Sequence, residues 1–352
     1  MFNFSKIFIL LSIIINIKSS SFTYKNFTKT QNVELITEKI LKNNLPINYD
    51  FFADEDCTLH IKDQGNCGSC WAFASTTSLA YRIFKKYNIS IDLSPQYLLS
   101  CSGISCSRGC NILDNLRLMQ EIGTVTASCR PYTSSYDVVE DCNPKTCING
   151  DYIQYQYFME NGKHLFYDYF KADNDDKFSD LVVKIMKEIY LKGPVMSSIS
   201  FNKEFKNYQS NKEEMNDLYE YDFDRCEDLF NEIECNFFNS SHAVVIFGYG
   251  KDEKSNEYYW LIQNSWGHKY KKHLMSPLTK IKIGQIGIER VFFGEAVIKR
   301  TYYDFFFRFI ISFGILSMVI VLIIIRKKCI KRKNNFSLLR GEEIARKIPY
   351  SA

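Results

Sequence analysis

Asp63-Gln64-Gly65-Asn66-Cys67-Gly68-Ser69-Cys70-Trp71-Ala72-Phe73-Ala74 decides how this chain folds and what chemistry it carries. Up to Cys70 the stretch is polar and glycine-containing, the composition of an irregular loop. From Trp71 to Lys86 it has few breakers and a helix-like apolar spacing. Cys70 therefore stands at a helix N-terminus, where unpaired N–H groups and the positive end of the dipole stabilise a thiolate. Gln64 offers a side-chain N–H, and Cys70 a backbone N–H, to a developing oxyanion. That makes Cys70 a candidate nucleophile.

A thiolate nucleophile needs a proton partner, and the second half of the chain supplies one. Ala243–Gly250 and Tyr258–Ile262 are β-rich runs separated by a polar turn, which predicts a hairpin. His242 opens the first run, and Asn264 follows the second in Gln263-Asn264-Ser265-Trp266-Gly267. Strands paired in this way bring His242 beside Asn264. The amide then orients the imidazole, and Trp266 shields the bond between them from water. This is the nucleophile–base–orienter logic of a catalytic triad with a thiol as nucleophile. Helical sequence first and strands later predict an α+β fold with two halves.

Composition sets the outer limits. The 352 residues are 46% hydrophobic and 24% charged, an ordinary globular balance. The net charge of +4 arises in the tail: from Arg326 onward there are nine Lys/Arg and two Glu, leaving −3 for residues 1–325. The main domain therefore gives no reason to expect nucleic-acid binding. Twelve cysteines, eleven of them between Cys57 and Cys235, predict a disulfide framework in an oxidising compartment, and an odd one among them suggests a working thiol. A zinc site built on Cys106 and Cys110 is the competing reading. Scarce histidine and the lack of paired C-x2-C knuckles argue against it, so neither metal nor cofactor is expected. Residues 213–234 hold ten Asp/Glu and read as a solvated surface insertion, closed by Cys226 and Cys235 on grounds of proximity.

Cys67–Trp71, His242-Ala243 and Asn264–Gly267, occurring in this order, resemble the papain family of cysteine peptidases, on its cathepsin B-like side. The resemblance covers residues 45–300, with Leu45-Pro46 similar to the start of the mature enzymes. It implies a helical left domain and a β-barrel-like right domain with a cleft between them. It also implies protein or peptide substrates cleaved through a thioester, a monomeric state, and Cys70, His242, Asn264 and Gln64 as catalytic residues. Gly287-Ile288-Glu289 resembles the segment leading to the S2 pocket, which places Val291 at its base and implies an apolar P2 preference. By the same analogy Cys67 pairs with Cys110, Cys101 with Cys142 or Cys147, and Cys129 with the other of those two. Cys57 and Cys106 either join each other or stay free, because Ser102 and Phe84 stand where partners would be.

The chain also departs from the family. Gly109-Cys110-Asn111-Ile112-Leu113 stands where the family has Gly-Cys-x-Gly-Gly, so Leu113 replaces a glycine whose backbone binds substrate. Tyr270–Leu274 alters the loop after Gly267, and Ser241 precedes the histidine within a glycosylation sequon at Asn239. Asn26 and Asn88 head further sequons. No histidine lies between 130 and 147, so the carboxydipeptidase activity of cathepsin B is not expected. These changes keep a rival reading open, in which the fold serves as a catalytically impaired binding or adhesion module.

The ends complete the organisation. Residues 1–20 have the charged start, apolar run (Ile7–Ile15) and small-residue zone of a signal peptide, and 21–44 read as a short pro-segment. Residues 305–325 are apolar apart from Arg308 and long enough to span a bilayer, and 326–352 form a basic tail. The basic flank predicts a single-pass type I protein with its main domain in the lumen or outside the cell, and the family resemblance implies a lysosome-like, vacuolar or plasma membrane. The juxtamembrane Cys329 reads as a plain thiol.

Overall fold

The computed structural model describes residues 29–54, 61–134, 139–166, 174–201, 205, 208, 218–220, 240–267, 269–270, 273–274, 278–301 and 309–328. The expected signal peptide, Cys57, the expected Cys226–Cys235 pair and the residues from Cys329 onward lie outside them.

Residues 29–151 and 155–299 fall in one compact unit. It begins with helix α1 (Val33–Lys42), strand β1 (Tyr49–Asp50) and the short α2 (Phe51–Asp54), followed by α3 (Cys70–Tyr87). Helices α4 (Pro95–Ser102) and α5 (Ile112–Glu121) complete the helical part. Their boundaries follow from local chemistry. Ser94 accepts a bond from the Tyr97 N–H and Pro95 fills the first turn of α4, while Asn111 caps α5 by accepting from the Asp114 N–H. Asn88 ends α3 in the left-handed conformation, at φ 54°.

Helix α3 is buried along its length from Trp71 to Phe84 and joins the two apolar clusters of the unit. Two of its buried hydroxyls bond within the helix: Ser75 Oγ donates to Trp71 O at 2.8 Å, and Thr76 Oγ1 to Ala72 O at 2.7 Å. Arg82 is buried too. Its guanidinium donates to Gly294 O, Gly193 O and Glu188 Oε1, and so stitches α3 to the β-rich half.

That half contains β2 (Tyr155–Leu165), α6 (Asp175–Lys192), β3 (Val195–Phe201), β4 (Leu218–Tyr219), β5 (Ser240–Lys251), β6 (Tyr258–Gln263), a small β7–β8 ribbon (Lys269–Tyr270, His273–Leu274), β9 (Leu278–Lys282) and β10 (Val291–Arg300). The strands run β2-β10-β3-β5-β6-β9-β4, with β1 added on β5. Among the described residues the sheet is open, since this path does not close on itself, where a β-barrel-like half is expected. The expected hairpin is β5–β6, antiparallel from Lys251↔Tyr258 to Val245↔Gln263.

Three disulfides are formed among the described residues. Cys101 takes Cys142, of the two alternatives open to it, and Cys129 takes Cys147. The pairing of Cys67 with Cys110 is overturned: Cys67 joins Cys106, and Cys110 is free. The backbone explains the choice. Gly68 N donates to Cys106 O at 2.9 Å, and a Cβ on Gly68 would overlap that same carbonyl. The close approach leaves the Cys67 and Cys106 Cα atoms 4.6 Å apart, within bridging distance.

Residues 152–154, 300–301 and 309–328 fall in a second unit. Its helix α7 (Phe309–Lys328) has a mean hydropathy of 2.7 and no buried share, and by length and composition it is able to cross a membrane.

Candidate active site

Cys70 opens α3 as the sequence predicts, and Ser69 leaves it uncapped. The Ser69 hydroxyl is drawn to Tyr132 Oη at 2.8 Å instead of to the helix N–H groups. Ser69 O accepts from the Ala72 and Phe73 N–H groups, while the backbone N–H groups of Cys70, Trp71 and Ala243 serve the Cys70 sulfur. Burial nonetheless dominates and pushes the thiol up, with those three donors pulling it back. The sequence expectation of a helix terminus that favours the thiolate is thus only one of two opposed effects, and desolvation is the larger.

Gln64 is placed by a short antiparallel pairing of the nucleophile loop with the segment after β6. Gly267 N donates to Lys62 O at 2.9 Å and Gln64 N to Ser265 O at 2.8 Å. Ser265 Oγ then donates to Gln64 Oε1 at 2.7 Å. Cys67 O can only accept, which fixes the amide orientation: Gln64 Nε2 donates to it at 2.9 Å and Oε1 is left to accept from Ser265.

His242 and Asn264 come together as the hairpin predicts, with His242 Nε2 2.8 Å from Asn264 Oδ1. The amide orientation is again fixed locally, because the Ser265 N–H donates to the same Oδ1 at 2.7 Å. Oδ1 accepts, so the imidazole proton sits on Nε2. Trp266 lies over the ring at 4.7 Å between centroids. Burial drives the His242 pKa down to about 4, opposed by the bond to Asn264.

A bulge makes this meeting possible. The β5–β6 register shifts between Gly248↔Leu261 and Ile246↔Ile262, with Phe247 as the extra residue. Continuing the register beyond the bulge sets Asn264 opposite Val244, on the face that carries His242. Without the extra residue Asn264 would face Val245 and lie on the other side of the sheet.

Gln64, Cys70, Cys110, Asn111, His242 and Trp266 are among the residues lining a cleft of ≈620 Å³. Leu113 stands two residues beyond Asn111, in the first turn of α5, and is 57% exposed. Val291 is not among the residues lining that cleft; paired with Ser197 on β3, it is fully buried in the core. Sequence reasoning missed two contributors. Ser265 lies inside the quoted motif but draws no notice as a small polar residue. Tyr132, which bonds both Ser69 Oγ and Gln64 O (2.9 Å), carries no local signal at all.

Comparison with known proteins finds a family match and several relatives. Residues 45–293 match the family described as papain family cysteine protease. The chain is 30% identical over 232 residues to cathepsin L of Sarcophaga peregrina, covering 65% of this chain and 57% of that protein. It is 27% identical over 250 residues to cathepsin B-like CP3 of Giardia intestinalis, covering 69% and 72% respectively. Similarity thus reaches both cathepsin branches. The chain spans little more than half the length of the cathepsin L relatives, 57% for Sarcophaga and 52% for Drosophila melanogaster cathepsin L1. In fold it is similar to procathepsin B S9 from Trypanosoma congolense, with a TM-score of 0.55 at 20% identity over 74% of this chain and 80% of that one.

Proposed function

Because the chain belongs to the papain family of cysteine proteases, we propose that it is a membrane-anchored endopeptidase that cleaves proteins through Cys70. The observation that carries this reading is the His242–Asn264 hydrogen bond at 2.8 Å, on the wall of the cleft that also holds Cys70.

With Nε2 committed to Asn264, Nδ1 is the imidazole nitrogen that takes the Cys70 proton. Burial disfavours the thiolate and the imidazolium taken singly. Transfer of one proton from Cys70 to His242 creates both charges together, each compensating the other in a site of low polarity. The thiolate attacks the scissile carbonyl, and the oxyanion is held by the Cys70 N–H and by Gln64 Nε2, which turns from Cys67 O. Imidazolium protonates the departing amine, leaving a thioester. Neutral imidazole then takes a proton from water, which attacks the thioester and frees the carboxylate.

Helix α7 is the proposed anchor, with the basic run from Arg326 on its cytoplasmic side and the peptidase domain in the lumen or outside. The disulfides fit that oxidising side. The test is labelling of the full chain with a papain-directed epoxide at about pH 5.5, alongside a fluorogenic peptide assay. Label on Cys70 with turnover supports the peptidase. A folded protein that takes no label and turns nothing over is the binding module instead.

A further inference from the structure

Residues 29–43 fall within the stretch that the sequence assigns to a pro-segment. Their contacts are those of a core element. Ile36 and Ile40 have no exposed surface and belong to the apolar cluster of the β-rich half, together with Val182, Ile246 and Trp260. Gln31, itself buried, makes a two-way clasp on the backbone of β6: its Nε2 donates to Tyr258 O at 3.1 Å, and Tyr258 N donates to its Oε1 at 2.8 Å. Thr37 Oγ1 bonds Tyr258 Oη at 2.8 Å. Lys29 N donates to Gly284 O at 2.8 Å, and a Cβ on Gly284 would overlap the Lys29 carbonyl. Lys29 pairs with Asp175 at 2.6 Å, and Lys39 with Asp176 and Asp180 at 2.6 and 2.5 Å, which ties the segment to the start of α6.

The exit from the segment is tied down as well. Asn44 N donates to Leu41 O and Leu45 N to Ile40 O, and the Leu45 side chain is buried. None of residues 29–44 is among those lining the cleft, and neither are Tyr258, Gly284, Asp175, Asp176 or Asp180. A segment that blocks a protease by occupancy has to lie in the cleft. This one closes the opposite requirement, covering core that would otherwise meet water and pairing a buried backbone N–H and C=O.

We infer that residues 29–43 stay in the working protein as a structural strap, and that no maturation cut falls between Asn44 and Leu45. The strap stabilises the β-rich half and does not inhibit. The readouts of fold and processing below do not depend on the catalytic reading, so the two stand or fall separately.

The full chain, expressed in a secretory host and extracted in detergent, is examined by N-terminal sequencing and intact mass. The expected N-terminus lies at or before Lys29; a stable form that starts at Leu45 overturns the inference. Ile36→Ala is expected to lower Tm by roughly 5–15 °C, the scale of a core Ile truncation in a domain of this size. Its turnover per labelled Cys70 is expected to stay within about twofold. An unchanged Tm, or turnover raised about fivefold or more, marks a removable inhibitor. A synthetic peptide of residues 29–43 covers the case in which Ile36→Ala does not accumulate. Added to the full chain at about 100 μM, far above the Kd range of a working inhibitor, it is expected to leave turnover unchanged, and inhibition overturns the strap.

Discussion

The two walls of the cleft are held by different means. On one, His242, Asn264 and Trp266 belong to the β5–β6 hairpin and its continuation, where ladder hydrogen bonds and one bulge fix which face each side chain takes. On the other, Cys106 to Asn111 form a loop leading into α5, secured by a disulfide to Cys67 and by the backbone bond from Gly68 to Cys106. Sheet register is set by a repeating pattern, so a residue's place follows from its neighbours. A loop pinned at one point is set by which of several equivalent groups does the pinning, and nothing periodic selects among them.

The largest expected effect breaks both walls at once by removing what they serve. Cys70→Ala is expected to lower kcat/KM by about 10⁴-fold or more, since loss of a nucleophile leaves only binding and the oxyanion donors. Its Tm is expected to stay close to that of the parent chain. Retained peptide hydrolysis at an unchanged Tm refutes the mechanism.

Next is the pin of the loop wall. Cys106→Ser opens a bridge across a sequence separation of 39 residues, and the chain-entropy cost of such a bridge is about 4 kcal/mol. Denaturant unfolding under oxidising conditions measures it. A Cys106→Ser variant as stable as the parent means that Cys67 has found another partner.

The register wall carries a pH signature. His242 titrates at about 4 in the folded chain, below its ordinary 6.5, because burial disfavours its charge. Between those values the unfolded chain binds a proton that the folded one does not. Stability is therefore complete above pH 6.5 and is lost as pH falls toward 4, by about 3 kcal/mol for this group. In a Cys70→Ala background, where no thiolate can compensate the imidazolium, Tm is expected to fall across that window. His242→Gln in the same background flattens the fall, and equal slopes for the two proteins would show that His242 is not buried neutral.

Asn264→Ala tests the orientation supplied by the hairpin. Without Oδ1 the imidazole proton loses its acceptor, and kcat is expected to fall by roughly 10–100-fold, with KM little changed. Asn264→Asp keeps an acceptor at that place and is expected to recover more of kcat than Ala does. If both variants match the parent, Asn264 does not position the histidine.

The legibility of the molecule follows the same division. The α3 boundary, the hairpin and the meeting of His242 with Asn264 were readable, because helix entry and strand alternation are local. The bulge at Phe247 was not, although the face shared by His242 and Asn264 depends on it, since an extra residue in a β-rich run leaves the composition unchanged. Tyr132 and Ser265 were missed because a hydroxyl that positions another residue carries no pattern of its own. The burial of Val291 beside Ser197 was not readable either, because it follows from a strand pairing between distant parts of the chain. The segment around Ile36 and Ile40 was readable as a helix but not as part of the body, because its apolar face finds its partner far along the chain.

The smallest expected effect is the sharpest test of the loop wall. Cys110 is a half-buried free thiol whose sulfur donates to Asn111 O at 3.2 Å. Burial, with Asp114 and Cys70 nearby, raises its pKa to about 11, so it is uncharged near neutrality and no ion pair is lost with it. A Cys110→Ser variant keeps a group able to donate to the same carbonyl, and it leaves the Cys67–Cys106 bridge intact. Its stability is expected to match the parent within about 0.5 kcal/mol, the range of substitutions that break no core contact, charge pair or cross-link. Peptide mapping without reduction is expected to return the Cys67–Cys106 fragment unchanged. A loss of several kcal/mol, with Cys106 found free in the parent, would move the bridge to Cys110. The loop wall would then be pinned four residues further along, nearer the cap of α5, and the contrast between the two walls would narrow to a difference in where each is tied.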